Sequence, residues 1–99
     1  MLCAHTVRRL KPGTYDRFAA EFFPLGDEAP AGWVRFHALR SLADENEVIT
    51  FGFFDGTLDE LESNQGRQGY EELRDSIAPL VDAVLSNGVY EVVRSRSVA

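Results

Sequence analysis

The chain has 99 residues, of which 44% are hydrophobic and 26% charged, and its formal net charge at pH 7 is −6. This length predicts one domain with one modest core, and the negative charge argues against a nucleic-acid partner. Cys3 is the only cysteine, which excludes an intrachain disulfide. Neither a run of about 20 apolar residues nor a secretory leader pattern occurs, so we expect a cytoplasmic protein.

The first half of the chain predicts a strand, a helix and a second strand. Residues 2–10 predict a strand that ends before a Pro-Gly pair. Thr14 is a suitable N-cap for a helix whose apolar residues recur at helical spacing. Residues 33–41 predict the second strand, with Trp33, His37 and Leu39 on one face and Val34, Phe36 and Ala38 on the other.

The stretch from Glu47 to Leu61 carries the strongest structural signals. Residues 47–54 are rich in β-branched and aromatic side chains, which favour a strand. A short polar connection separates them from the second strand, and this predicts an antiparallel hairpin. An Asp-Gly turn follows, and Thr57 and Glu60 then have the spacing of a helix capping box.

The last third of the chain predicts a helix and a final strand. The polar segment 63–69 predicts a loop or a frayed helical join, and we favour a break. Helical periodicity returns from Tyr70, with an apolar stripe formed by Leu73, Ile77, Leu80, Val81 and Val84. Pro79 lies inside this stripe and predicts a kink or a fresh helix start. Asn87-Gly88 predicts the C-terminus of the helix, and residues 89–94 predict the last strand.

The predicted element order, βαββαβ, is typical of an α+β, ferredoxin-like fold with a four-stranded antiparallel sheet and helices on one face. If the other face met water, the strands should alternate between apolar and polar residues. They do not, because in the third strand one face carries Ile49, Phe51 and Phe53 and the other Val48, Thr50 and Phe54. We therefore expect a symmetric homodimer packed sheet to sheet.

These features resemble a known family. The aromatic strand FGFFDG leading into TLDEL, and the segment APLVDAVLSNGVYEVV, are similar to dimeric α/β-barrel proteins, and most of all to their antibiotic-biosynthesis-monooxygenase-like branch. The resemblance implies that two protomers join their sheets and that each has a small-molecule pocket between sheet and helices. Catalytic members of this family oxidise aromatic polyketide-type substrates or degrade haem, and the first kind use neither flavin nor metal. No cofactor is therefore expected.

The chain departs from the catalytic pattern of this family. Catalytic members tend to place Trp at the end of the third strand or in the following helix, and His near the segment after that helix. Here Phe54 ends the strand, and no Trp or His follows residue 37. Asn64 could take the part of a family asparagine. Two functions stay open: a cofactor-independent monooxygenase-like protein that acts on or binds a small apolar or aromatic molecule, or a non-catalytic homodimeric ligand-binding or interaction protein.

The candidate catalytic residues are His37, Arg35 and Asn64. A half-buried histidine titrates near neutral pH and can act as a general base, and an arginine can pair with an anionic substrate group. The candidate substrate-binding residues could wall an apolar pocket: Trp33, Phe22, Tyr70, Tyr90 and His5. Simpler roles stay open, namely aromatic core packing, a hydrogen-bonded strand histidine and an arginine paired with a partner carboxylate. No carboxylate lies at ligand-motif spacing from His5 or His37, so no metal site is predicted.

Overall fold

The structure, a computed structural model, describes residues 1–22, 32–65 and 68–98, and gives the backbone alone for residues 64, 65 and 68–71. Its elements are β1 (Leu2–Leu10), α1 (Tyr15–Phe22), β2 (Trp33–Arg40), β3 (Glu47–Phe54), α2 (Leu58–Gln65), α3 (Gln68–Ile77), a 3-10 turn (Ala78–Leu80) and β4 (Val81–Glu91). The strands form one antiparallel sheet in the order β2-β3-β1-β4. This architecture confirms the predicted ferredoxin-like α+β fold.

The helices cover one face of the sheet and leave the other open. Burial alternates along β3, where every second side chain from Val48 to Phe54 is buried and those between them are partly exposed. The buried face packs against α1, α3 and the 3-10 turn in a core of Leu10, Phe18, Val48, Ile77 and Leu80. We call the two sides of the sheet the helix-covered face and the open face.

The predicted capping box is present at the start of α2. The backbone N–H of Thr57 donates to Oε1 of Glu60 at 3.2 Å, and the N–H of Glu60 donates to Oγ1 of Thr57 at 3.2 Å. The two bonds satisfy N–H groups that have no partner within the helix. Leu61, one residue further, is fully buried. The cap therefore stabilises the start of α2 next to the residue that the helix buries.

The prediction that Trp33 shares a face with His37 and Leu39 is wrong. An irregularity in the β2–β3 pairing lies between Trp33 and Arg35, so that Trp33 pairs with Phe54 while Arg35 pairs with Phe53. One extra residue in a strand reverses the face on which the preceding side chains lie. Trp33 therefore lies on the helix-covered face, where its ring centroid is 5.2 Å from that of Phe54.

The prediction that the last helix runs to Asn87-Gly88 is also wrong. The helix α3 ends at Ile77, Pro79 lies in the 3-10 turn, and Val81 is already extended with φ −97° and ψ 126°. Proline has no N–H to continue the helical bonding and its ring clashes with the preceding turn, so the helix stops. The strand β4 consequently begins at residue 81 rather than 89, and Asn87 and Gly88 pair with β1 inside it.

The break predicted over residues 63–69 is for the most part helical. The helix α2 continues to Gln65 and α3 begins at Gln68, while residues 66–67 lie outside the described residues. Residues 23–31, between α1 and β2, lie outside the described residues too. Within the described part of the chain, none of the helices is both long and apolar enough to span a membrane.

Candidate functional site

A cavity of about 420 Å³ lies between the helix-covered face of the sheet and the helices. Strands β1 and β4 contribute its floor, and α1 and α3 contribute its roof through Phe22, Leu73 and Ile77. The roof helices are joined by a hydrogen bond of 2.6 Å from Oγ of Ser76 to Oε2 of Glu21. The volume lies within the range of about 300–1,000 Å³ that small-molecule sites occupy.

Arg8 rises from the central strand β1 into this cavity. Its Nη1 donates a hydrogen bond of 2.7 Å to Oγ1 of Thr50 on β3. Its guanidinium carbon also lies 5.8 Å from the ring centroid of Phe18 and 5.4 Å from that of Phe22. Both distances are within the reach of a cation–π contact. The arginine head group is thus held at a defined place on the cavity floor.

The rest of the lining combines an apolar side with polar groups. The apolar side consists of the roof residues together with Val81 and Val84 of β4. Among the polar groups, Oγ1 of Thr6 on β1 donates a hydrogen bond of 3.1 Å to Oδ1 of Asn87 on β4. The charged lining residues are Arg8, Arg74 and Asp82. Two arginines and one carboxylate give the described lining a positive formal charge, although the whole chain carries −6.

The open face carries a row of aromatic and imidazole rings across the strands. In the strand register His5 lies opposite Phe51, and Phe51 lies opposite His37. The rings of His37 and Phe51 stack with their centroids 4.8 Å apart. The two histidines are separated by two strand spacings, about 10 Å in all. They therefore lie on either side of Phe51 rather than next to each other.

Two further contacts extend this row toward its edges. The guanidinium of Arg35 lies 5.5 Å from the ring centroid of Phe53, and the rings of His5 and Tyr90 meet edge to face at 6.1 Å. The Cβ of an alanine at Gly88 would come within 3.2 Å of the Tyr90 hydroxyl, so the glycine leaves room for the tyrosine ring. Large side chains are exposed here, since Leu39 is 49% and Tyr90 54% exposed.

The predicted site residues therefore do not come together in one place. Phe22 lines the cavity. Trp33 lies on the same face near the opposite edge of the sheet, with its ring 4.8 Å from Phe36, and is not among the lining residues. Four others lie on the open face: His5, Arg35, His37 and Tyr90. Asn64 lies in α2 and Tyr70 in α3, but their side chains are outside the described ones.

Sequence reasoning missed the polar lining of the cavity. Arg8 follows the alternation of β1 onto the same face as the buried Leu10, and a charged residue on a buried face was the available signal. Asp82 and Asn87 gave no such signal, because their segment was predicted to be helical.

The part of the chain that the structure describes contains no group of three or more His, Cys, Asp or Glu side chains placed to hold a metal ion. Cys3 lies on the open face opposite Phe53 and Tyr90. Burial raises the pKa of its thiol above the ordinary value, because the charged thiolate is disfavoured away from water. The thiol is therefore a weaker nucleophile at neutral pH than an exposed cysteine.

The sheet order and helix placement define a ferredoxin-like α+β domain with a cavity between sheet and helices. No family model matches the chain, and no curated protein matches its sequence. Solved structures show what the chain resembles. One is a candidate antibiotic biosynthesis monooxygenase from Chloroflexus aurantiacus, with TM-score 0.80 and 13% identity, over 99% of this chain and 98% of the other.

A candidate antibiotic biosynthesis monooxygenase from Nitrosomonas europaea has TM-score 0.79 and 16% identity, over 95% of this chain and all of the other. A variant of SnoaB, a cofactor-independent oxygenase from Streptomyces nogalater, has TM-score 0.69 and 15% identity, over 95% of this chain and 94% of the other. The predicted resemblance to antibiotic-biosynthesis-monooxygenase-like proteins is thus confirmed at the level of the fold.

Proposed function

We propose that this protein is monooxygenase-like and binds a small, largely apolar or aromatic molecule in the cavity between sheet and helices. The observation that carries the proposal is the cavity itself, about 420 Å³ with Phe22, Leu73, Ile77, Val81 and Val84 in its lining. Apolar walls with a few placed polar groups are typical of small-molecule sites. The fold shared with a cofactor-independent oxygenase supports the same assignment.

The reaction proposed is oxidation of an activated methylene group in an aromatic substrate by dioxygen. The methylene carbon loses two hydrogens and four electrons and becomes a carbonyl. Dioxygen accepts the four electrons, with one oxygen atom entering the product and the other leaving as water. Within the described lining Asp82 is the carboxylate that could accept the first proton, and Arg8 could stabilise the resulting anion.

Oxygen uptake with an anthrone-type substrate tests this activity. We expect uptake and quinone formation to exceed the buffer rate for wild type and to fall when Val84→Trp fills the cavity. Val84 is 57% exposed, so the larger side chain can be accommodated without displacing the core. Equal rates for wild type, Val84→Trp and buffer would refute the oxygenase.

The second candidate function is ligand binding without catalysis. It is favoured by the described cavity lining, which contains neither histidine nor tyrosine. A neutral fluorescent dye such as N-phenylnaphthylamine separates the two candidates. Dye binding that Val84→Trp abolishes, together with oxygen uptake at the buffer rate, would establish the binder and exclude the oxygenase for that substrate class.

We also propose that two protomers pack through their open faces. The support is the ring row His5, Phe51 and His37, flanked by Phe53 and the exposed residues Leu39 and Tyr90. In an antiparallel sheet that met water this face would be polar, and an aromatic surface of this kind marks an interface. In this arrangement His5, His37, Arg35 and Tyr90 contribute to the interface rather than to the cavity.

Light scattering at micromolar concentration tests the dimer. We expect a mass of twice the 11.1 kDa of one chain. A mass of one chain at that concentration would refute packing through the open face.

A further inference from the structure

We infer that the interface between two open faces is sensitive to pH, and that protonation of His5 and His37 separates the protomers as the pH falls below neutral. The inference rests on the proposed packing through the open faces, because it assigns a means of regulation to that interface. It concerns the association of two copies of this chain and does not depend on the cavity or on a reaction there.

Both histidines of the chain lie in the ring row of the open face. The sequence contains two histidines in all. His5 on β1 and His37 on β2 lie on either side of Phe51, which pairs with both of them from β3. The ring of His37 stacks on that of Phe51 with the centroids 4.8 Å apart, and the ring of His5 meets that of Tyr90 edge to face at 6.1 Å. Packing of two protomers through this row therefore brings four imidazoles into one interface.

The surroundings of His5 show why packing disfavours its charged form. Its Nδ1 atom is buried and has no hydrogen-bond partner among the described residues. A protonated imidazole carries a hydrogen on both ring nitrogens, so protonation places a buried donor at Nδ1 without an acceptor, which costs free energy. The charged form depends on water at the exposed part of this half-buried residue. Packing against a second protomer removes that water.

The titratable neighbours of His5 stay uncharged between pH 5 and 7. On the open face Cys3 lies two residues before it on β1, and Tyr90 lies opposite Cys3 on β4. Thiols and phenols carry no charge in this pH range, and burial raises the pKa of the Cys3 thiol further. From β3 the neighbour is Phe51. Within the described part of one protomer, no anion on this face therefore lies beside a protonated His5.

The charged groups near His37 and at the end of the open face do not neutralise an added proton. Arg35 lies two residues before His37 on β2, and its guanidinium is 5.5 Å from the ring centroid of Phe53. Within the described strands, the carboxylate on this face is that of Glu47, which lies opposite Arg9 at the end of the β1–β3 pairing. A protonated His37 therefore has a cation next to it, and the carboxylate faces an arginine.

Proton linkage gives the direction of the effect. Histidine side chains change charge between about pH 5 and 8. Separate protomers bind these protons on solvated imidazoles, and the packed dimer binds fewer of them, so a falling pH shifts the equilibrium toward separate protomers. Protonation also brings like charges together across a symmetric interface. At neutral pH the ring row of each copy meets an uncharged ring row, and the dimer is favoured.

Sedimentation equilibrium of the wild-type protein at pH 7 and pH 5.5, at one ionic strength, measures the effect. The neutral fraction of a histidine with the reference pKa of about 6.5 falls about eightfold between these two pH values. A dimer that requires one neutral imidazole from each protomer should therefore show a rise in Kd of about 50-fold or more. Circular dichroism at both pH values distinguishes separation of the protomers from unfolding.

Three kinds of variant serve as controls. The double variant His5→Gln with His37→Gln removes both titrating groups, and its Kd should change by at most about threefold between the two pH values. Each single variant keeps one imidazole per protomer and should show a smaller rise than wild type. Cys3→Ser changes the open face beside His5 without removing a group that titrates in this range, and it should keep the full rise. If the double variant is monomeric at pH 7, the single variants make the same comparison.

The outcomes separate this inference from the packing on which it rests. A mass of one chain for wild type at pH 7 and micromolar concentration refutes the proposed packing, and the inference fails with it. A wild-type Kd that is equal at both pH values, or lower at pH 5.5, refutes the pH sensitivity and leaves the packing in place. A double variant that keeps the wild-type rise also refutes the inference, because the response then belongs to other groups.

Discussion

Removing the hydrogen bond between Arg8 and Thr50 tests whether Thr50 holds the Arg8 side chain in place on the cavity floor. Thr50→Val keeps the shape of the side chain and replaces the hydroxyl that accepts from Arg8 Nη1 at 2.7 Å. Thr50 is 4% exposed, so water cannot easily replace the lost partner. A hydrogen bond to a charged group contributes about 1.5–3 kcal/mol.

We expect Thr50→Val to lower the free energy of unfolding by an amount at the lower end of this range. Arg8 retains its contacts with the rings of Phe18 and Phe22 at 5.8 and 5.4 Å, and valine is the more apolar side chain. We therefore expect Thr50→Val to lower the free energy of unfolding by about 1.5 kcal/mol, which for a domain of this size lowers Tm by about 6–12 °C. Chemical and thermal unfolding at one fixed protein concentration measure the change, because a dimer's stability depends on concentration.

Thr6→Val is the matched control. Thr6 lies on the same face of β1, and its hydroxyl donates to Asn87 at 3.1 Å in an exposed position, so its loss should change stability by at most about 0.5 kcal/mol. If Thr50→Val is as stable as Thr6→Val, then Thr50 does not anchor Arg8 and the account of the cavity floor is wrong.

Three further predictions concern the sheet. Phe51→Glu places a charge at the centre of the open face and should convert the proposed dimer to monomers in light scattering, whereas a dimer of unchanged mass would contradict the proposed interface. Gly52→Ala brings a Cβ to 2.7 Å from the ring of Phe36 and 2.8 Å from that of Trp33. The free energy of unfolding should fall by about 1–3 kcal/mol, and an unchanged free energy would contradict this packing. Because burial raises the pKa of Cys3, alkylation at neutral pH should be slower than for free cysteine, and an equal rate would contradict its burial.

The sequence predicts those parts of the fold that local patterns determine. In β3 the run of β-branched and aromatic side chains identifies the strand and its two apolar faces. The capping box is predicted for the same reason, because residues three apart make both of its hydrogen bonds.

The parts that were predicted wrongly depend on pairing between strands. The residue alternation of β2 does not show the irregularity after Trp33, which arises only when β2 pairs with β3. The positions of Val81 and Val84 fit the apolar stripe of a helix as well as a strand. In the structure residues 81–91 pair with β1, so this segment is a strand. The cavity was not predicted for the same reason, since most of the described residues of its floor belong to β4.

The central claim is that the small-molecule site is the cavity between sheet and helices. A titration of the protein with N-phenylnaphthylamine, followed by amide NMR shifts, tests it most directly. We predict that the largest shifts occur at lining residues such as Arg8, Leu73 and Asn87. Shifts that centre on Phe51 and His37 of the open face, with the lining unchanged, would contradict the claim.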